Sequence, residues 1–359
     1  MMKTYQFRIK DSGSAGPALG NLAANVNFCW NFCNETQRTA LRRASSRIVD
    51  GKAYPNSFTA YDFSPLMKGC TKILGLNSST MQVIAEKYVS SRRMAKRRWL
   101  RWRSNKKSLG WIPFKAKAIR VVGNSVIYMK RTFQIWKSRE VLGEIVSGSF
   151  SQDSRGRWYV NLTVRNGPLP EPAEHGEVGL DLGLKTLVTR SDGVKYGAAR
   201  YFRRFAHNLG KAQKDGKKRR AKAIYAKVKN SRKDLAHKIS HEITRENRLV
   251  VVGSVSSSKL SKTRMARSIF DAGWCQLKIL LKYKAIARSG IYVEVDEAFT
   301  SSTCSRCETK SPPGSPRGLK GLRMREWVCG HCNAIHDRDI NAALNILRLG
   351  RQSLAPKVA

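Results

Sequence analysis

The sequence predicts an α/β chain with added β and α subdomains: a helical segment and a small antiparallel β-domain, followed by a mixed-sheet α/β half. Three observations predict it. Apolar residues recur with helical spacing over 17–110 and with period two over 112–164, and beyond a proline-rich break short apolar strands alternate with helical stretches.

Residues 1–10 read as a strand. Leu19, Leu22, Val26, Cys29, Trp30 and Cys33 then fall on one helical face, so a helical subdomain is expected. Its last stretch, Arg92 to Arg103, is basic all round except for Trp99 and Trp102. Period-two runs such as Ser125–Lys130 and Arg157–Val164, with turn signals at Gly123-Asn124 and Asp153–Gly156, give a small barrel or sandwich. Asn166-Gly167-Pro168-Leu169-Pro170-Glu171-Pro172 suits neither sheet nor helix and reads as a linker. After it, Glu177–Gly183 and Thr186–Thr189 are strands, and a long basic helical stretch over 200–247 breaks near Gly216. Arg248–Gly253 and Ile291–Asp296 are short apolar strands separated by an amphipathic helix around 265–288.

Composition limits the function. The 359 residues hold 68 Lys+Arg against 25 Asp+Glu, a formal net charge of +43. That excess excludes an ordinary metabolic enzyme, and its spread along the chain points to a long polyanion, nucleic acid, as the partner. With 41% hydrophobic residues the chain can build cores, so it is not a disordered basic arm. It opens into a strand with no signal-peptide segment and has no run long enough to span a bilayer, so a soluble, non-exported, cytoplasmic protein is expected, without membrane contact.

Cys29, Cys33, Cys70 and Cys275 are scattered among apolar neighbours and read as reduced core thiols. The other four are paired. Cys304-x2-Cys307 and Cys329-x2-Cys332 form two knuckles whose thiolates can each reach one ion at about 2.3 Å. Four protein ligands leave no open position, so the expected Zn²⁺ is structural. Among the few acids, Asp181 lies inside the apolar strand Val178–Gly183, where a bare carboxylate needs a cation. Asp337 and Asp339 open a helix directly after the second knuckle, and N-terminal capping alone explains one of them.

Gly179-Leu180-Asp181-Leu182-Gly183, the cysteine quartet and Asp337-Arg338-Asp339-Ile340-Asn341-Ala342-Ala343-Leu344-Asn345-Ile346 together resemble the RuvC-type nuclease half of the TnpB family, transposon-encoded relatives of the compact type V CRISPR nucleases. Phe270-Asp271-Ala272-Gly273-Trp274, Leu281–Ala285 and Thr300-Ser301-Ser302-Thr303-Cys304 also stand where the family has similar words. The resemblance is specific over about 176–350. It implies this order: first wedge strand 1–16, helical recognition lobe 17–110, wedge β-barrel 111–167, linker 168–175, RuvC-like core of RNase H-like fold 176–302, inserted zinc ribbon 303–333, and final helix and tail 334–359. It further implies an Asp, a Glu and an Asp holding two Mg²⁺ that hydrolyse a phosphodiester. Asp181 matches the first and Asp339 the last.

The middle Glu has no match, because the family word at the end of the fourth strand is here Val250-Val251-Val252-Gly253. Glu297, just past the neighbouring strand, is the replacement candidate, with Glu294 and Asp296 as rivals. The resemblance implies a guide RNA from the end of the mobile element and a double-stranded DNA target read beside a short adjacent motif; of one or two proteins per RNA, one is favoured. Arg92, Arg93, Arg97, Arg98 and Arg101 are expected to grip nucleic acid, Lys217, Lys218, Arg219 and Arg220 to line the heteroduplex channel, and Arg325 to contact the scissile phosphate. Trp99 and Trp102 read either as base-stacking rings or, at helical spacing, as partly buried anchors. Three functions compete: a guided endonuclease using Asp181, Glu297 and Asp339; a guided DNA-binding repressor without cleavage; and a strand-transferring transposase.

Overall fold

The computed structural model describes residues 2–11, 13–43, 48–49, 52–53, 58–254, 266–321 and 323–355. Parts of the expected recognition lobe (44–47, 50–51 and 54–57) and of the expected nuclease core (255–265) lie outside the described residues. The chain divides into two compact units, Met1–Pro168 and Leu169–Ala359.

In the first unit, strand β1 (Met2–Ile9) leads into helices α1 (Ala15–Arg43), α2 (Ala60–Leu66), α3 (Cys70–Leu74) and α4 (Ser78–Met94). Six strands follow: β2 (Trp111–Lys115), β3 (Ile119–Val122), β4 (Ser125–Tyr128), β5 (Arg131–Trp136), β6 (Glu144–Gln152) and β7 (Trp158–Arg165). With β1 they make one antiparallel sheet in the order β2-β6-β7-β1-β5-β4-β3. Period two in the sequence becomes burial of alternate residues: Trp158, Val160, Leu162 and Val164 of β7 are all buried. Leu19, Val26, Cys29 and Cys33 of α1 pack against the same core.

The helical spacing does not run to residue 103. Helix α4 stops at Met94 because Lys96 turns left-handed (φ 49°) and Arg97 N–H closes back on the Arg92 carbonyl at 3.2 Å. Three asparagines of α1 then hold the outgoing chain. Asn34 donates to Leu100 O (2.8 Å) and accepts from Leu100 N (2.9 Å), Asn31 makes the same pair with Arg103 (2.8 Å each), and Asn27 accepts from Arg103 Nε at 2.6 Å. The Arg103 guanidinium faces the rings of Trp30 and Trp111. A further correction concerns Cys275, expected in a core, which is exposed.

The second unit is built on β8 (Gly176–Asp181), β9 (Thr186–Arg190), β10 (Lys195–Gly197), β11 (Asn247–Gly253) and β12 (Ile291–Val295), in the order β10-β9-β8-β11-β12. The first three form an antiparallel meander, and β8, β11 and β12 are parallel. Connecting helices are α5 (Tyr201–Lys214) and α6 (Lys218–Glu246), parted at Gly216, then α7 (Ala266–Ala272) and α8 (Trp274–Ala287), parted at Gly273. Strands β13 (Glu326–Val328) and β14 (Ile335–Asp337) precede the last helix, α9 (Arg338–Leu354).

The sheet is covered on both faces, which is why β11 reads Leu-Val-Val-Val without alternation. Val250 and Val252 join Ile239, Ile243, Leu277 and Leu281 on one side, and Leu249 and Val251 join Ile346 and Leu347 of α9 on the other. Full burial of such side chains contributes about 1.5–3 kcal/mol each. Helix α9 lies so close that a Cβ on Gly179 would meet Ala343 O at 2.1 Å, and one on Gly350 would meet Val251 Cγ2 at 2.3 Å. Both glycines are contact points between helix and sheet.

Candidate active site

Three parallel strands end together, and the carboxylates stand at their ends. Asp181 closes β8, whose Leu180 pairs with Val252 of β11, while Gly253 ends β11 opposite Val295 of β12. Glu297 follows two residues later. Asp181, Glu297, Asp339, Arg325 and Arg338 line one open cleft of about 470 Å³. Burial, and then the charges of Asp339 and Glu297, push Asp181 up to about 7, with Arg338 partly opposing them. Glu297 is also raised, mainly by burial. Both shifts favour the neutral acid over the bare carboxylate in this cleft.

Gly253 explains how Glu297 gets there. A Cβ at residue 253 would lie 2.8 Å from Glu297 Oε2 and 3.3 Å from Glu297 Cβ. The Glu297 side chain fills the space in which a side chain on residue 253 would begin. Its backbone is fixed in turn: the Thr300 hydroxyl and amide donate to Glu297 O at 2.8 and 3.2 Å. Thr300 O accepts from Asn345 Nδ2 at 2.9 Å and from Asn341 Nδ2 at 3.2 Å, so α9, which carries Asp339, also holds the turn after Glu297.

The competing acids have other partners. Asp337 is the helix cap: its Oδ1 accepts from the amides of Asp339 and Ile340 at 3.0 Å each, and its Oδ2 meets Lys195 Nζ at 2.6 Å. Lys195 and these amides hold the Asp337 carboxyl below its ordinary value. Asp339 is left facing the cleft, with Arg325 Nη1 3.4 Å away. Arg325 is placed there by its carbonyl, which accepts from Arg338 N at 2.7 Å. Glu294 is bound by Lys278 (3.1 Å) and the Tyr292 hydroxyl (2.9 Å), and Asp296 is exposed and caps its own turn at Ala298 N.

The four cysteines Cys304, Cys307, Cys329 and Cys332 bring their sulfurs within 4.8 Å of one another. Cys304 and Cys332 sulfurs are 3.6 Å apart and those of Cys307 and Cys329 3.8 Å. A tetrahedral ion with sulfurs at about 2.3 Å needs edges of about 3.8 Å, so the quartet fits Zn²⁺. Thr309 lowers the Cys307 thiol to about 6, which favours thiolate. His336 Nε2 approaches Cys304 Sγ at 3.0 Å, and Asn341 Oδ1 accepts from Ser305 N at 2.9 Å, tying the first knuckle to α9.

The expected nucleic-acid residues separate into two kinds. Arg93, Arg97, Arg98, Arg101 and Lys217 to Arg220 are exposed, whereas Arg92 is half-buried and donates to Phe58 O at 3.1 Å. Trp99 and Trp102 are 47% and 50% exposed on irregular chain, which removes the premise of helical anchoring. The sequence reading missed Asn27, Asn31, Asn34 and the pair Asn341 and Asn345. Their signal was available: asparagines spaced by three or four residues along faces otherwise bound for a core. Asp271, in a word noted only for its likeness, accepts from Phe202 N at 3.0 Å and so caps α5.

Fold and site define a class: a mixed sheet with carboxylates at its strand ends, joined to a four-cysteine ribbon through the final helix. Residues 160–264 match the family described as "Probable transposase" (OrfB_IS605), and residues 274–346 the "Cas12f1-like, TNB domain". Over these two segments the chain is similar to the TnpB family. It is 38% identical over 214 residues to a "Putative RNA-guided DNA endonuclease" of Streptomyces pristinaespiralis, covering 56% of this chain and 52% of that one. It is 27% identical over 247 residues to the "Putative RNA-guided DNA endonuclease InsQ" of Escherichia coli K12, covering 61% and 60%. The matched part thus spans half to three-fifths of these relatives. A solved Cas12f1-sgRNA-target DNA complex aligns over 97% of this chain and 99% of its own, at 16% identity and a TM-score of 0.34.

Proposed function

We propose that the chain is an RNA-guided DNA endonuclease encoded by a mobile element, with Glu297 in place of the usual middle Glu. The observation that carries this reading is that Glu297 Oε2 lies where residue 253 would put its side chain, in one cleft with Asp181 and Asp339. A simple loss of the acid at 253 would leave that space empty or apolar. The strand order β10-β9-β8-β11-β12, with helices on both faces, supports an RNase H-like core of the RuvC kind, and the sulfur geometry supports a zinc ribbon inserted before its last helix.

Three carboxylates are hard oxygen donors suited to Mg²⁺, and Asp181, Glu297 and Asp339 would hold it. The chemistry such ions would supply is an activated water and a stabilised leaving oxygen. The protein's own part is positional. Asn341 and Asn345 clamp the turn behind Glu297, Asp337 caps the helix that presents Asp339, and Arg325 stands where it can meet a phosphate oxygen. A cation held in the cleft would favour the ionised form of the raised Asp181 carboxyl, so metal entry would be coupled to proton release.

Guide RNA paired with one target strand would supply sequence recognition, leaving the protein to read only a short duplex motif. The exposed Arg93, Arg97, Arg98, Arg101 and Lys217 to Arg220 are the proposed contacts. Gly253 favours a second reading, a guided repressor that binds without cutting. The experiment is single-turnover cleavage with Mg²⁺ by guide-loaded wild type and Glu297→Gln. The nuclease reading expects loss of cutting with guided binding intact; equal rates for the two proteins overturn the assignment of Glu297.

A further inference from the structure

The segment leaving α4 is built like a mount. Leu100 and Arg103 are each gripped through both backbone groups by buried or half-buried asparagines of α1, and the Tyr88 hydroxyl donates to the same Asn34 oxygen at 3.1 Å. Between and beside these fixed points, Arg97, Arg98, Trp99, Arg101 and Trp102 face outward. Two half-exposed indoles thus stand on backbone that is held at both ends instead of frayed. The chain between the two rings spans at most about 10 Å, so one short ligand can touch both.

Charge identifies the ligand. No Asp or Glu stands between Glu86 and Glu140, so nothing in that part of the sequence neutralises Arg97, Arg98 and Arg101. Flat aromatic faces interleaved with guanidinium groups match a polyanion with open ring faces. Duplex offers few such faces, because its bases are covered by their neighbours; unpaired nucleotides offer one per base.

We propose that Trp99 and Trp102 form a stacking platform for unpaired nucleotides, with Arg97, Arg98 and Arg101 on the backbone phosphates, and that Asn31 and Asn34 are its positioning residues. Stacking needs a base face and is indifferent to the sugar, so an unpaired stretch of guide RNA and a displaced DNA strand both present the required chemistry. This rests on the guided-nuclease reading only for which of the two strands arrives.

The test uses the whole 359-residue chain and reads binding, not cutting. Anisotropy is measured with a labelled twelve-nucleotide oligo(U), oligo(dT) and a hairpin-capped duplex at one fixed, high salt concentration. Trp99→Ala with Trp102→Ala is expected to weaken a single-stranded probe about tenfold or more, with duplex binding changed less than twofold and the salt slope unchanged. Trp99→Phe with Trp102→Phe should retain most of the affinity, and Asn31→Ala should lower it with both indoles present. Loss confined to oligo(U) assigns the platform to RNA, loss confined to oligo(dT) to the DNA strand, and loss on both to either. Equal loss on single strands and duplex, or no loss, overturns the platform. Because cleavage is not read, these outcomes stand whether or not the chain cuts DNA.

Discussion

Gly253→Ala is the most informative small change. The added Cβ would stand 2.8 Å from Glu297 Oε2, 3.1 Å from Ile346 Cδ1 and 3.3 Å from Glu297 Cβ, whereas ordinary contact begins at 3.4 Å. Gly253 sits on regular strand and not in left-handed backbone, so the strand tolerates alanine. The soft neighbour is the Glu297 carboxylate, which must retreat by about 0.6 Å. Misplacing a reacting group by about 1 Å costs up to about 10²-fold in rate, so cutting should slow about 10- to 100-fold while the protein still folds and still binds its guided target. Single-turnover cleavage, guided-target binding and thermal melting, run side by side, measure this. Wild-type cutting by Gly253→Ala would refute the claim that Glu297 completes the site.

Other expectations follow from the same structure. Cys329→Ser should unfold the ribbon, since structural Zn²⁺ supplies about 10–16 kcal/mol in small zinc-dependent folds; Trp327, now 4% exposed, should shift its emission to longer wavelength, and cutting should stop. Asn34→Ala leaves the Leu100 amide and carbonyl without partners and should cost about 1–3 kcal/mol in denaturant melts, far more than an exposed substitution such as Arg98→Ala. Lys284 is pushed down to about 8 by burial and by Arg288, so its charged form is disfavoured in the fold. That penalty is full below pH 8 and is released as the pH rises from 8 towards 10.5. Wild type should therefore gain melting temperature relative to Lys284→Met over that interval, and parallel curves would count against it.

Much of the fold is legible in the sequence. Period two gave the first sheet, and the apolar run Arg248–Gly253 gave a strand, to which the structure adds cover on both faces. The cysteine spacing announced four sulfurs around one point, and the structure brings them within 4.8 Å of one another, two pairs at 3.6 and 3.8 Å. The distinction between Asp337 and Asp339 was half legible: capping explains one acid at a helix start, but only geometry shows that Asp337 is the cap. What the sequence hid is mostly polar and long-range. Helical spacing carried the eye past Met94, since Lys96 adopts a left-handed turn usually given to glycine, and the asparagines that hold residues 100–103 lie some seventy positions away on α1. The closeness of Gly253 and Glu297 is of the same kind, for it depends on the register of β11 and β12 and on the turn held by α9.

The central claim is that this chain cuts DNA under RNA guidance despite the glycine at 253. It is tested most directly by purifying the protein with RNA expressed from its own locus and sequencing that RNA. The complex is then given Mg²⁺ and a plasmid library carrying the matching target beside randomised flanks. The account predicts linear product from plasmids that share one short flanking motif, and none from the Glu297→Gln complex. Motif-dependent binding of intact plasmid by the wild-type complex, with no cut at any Mg²⁺ concentration, would contradict it and make the chain a guided binder.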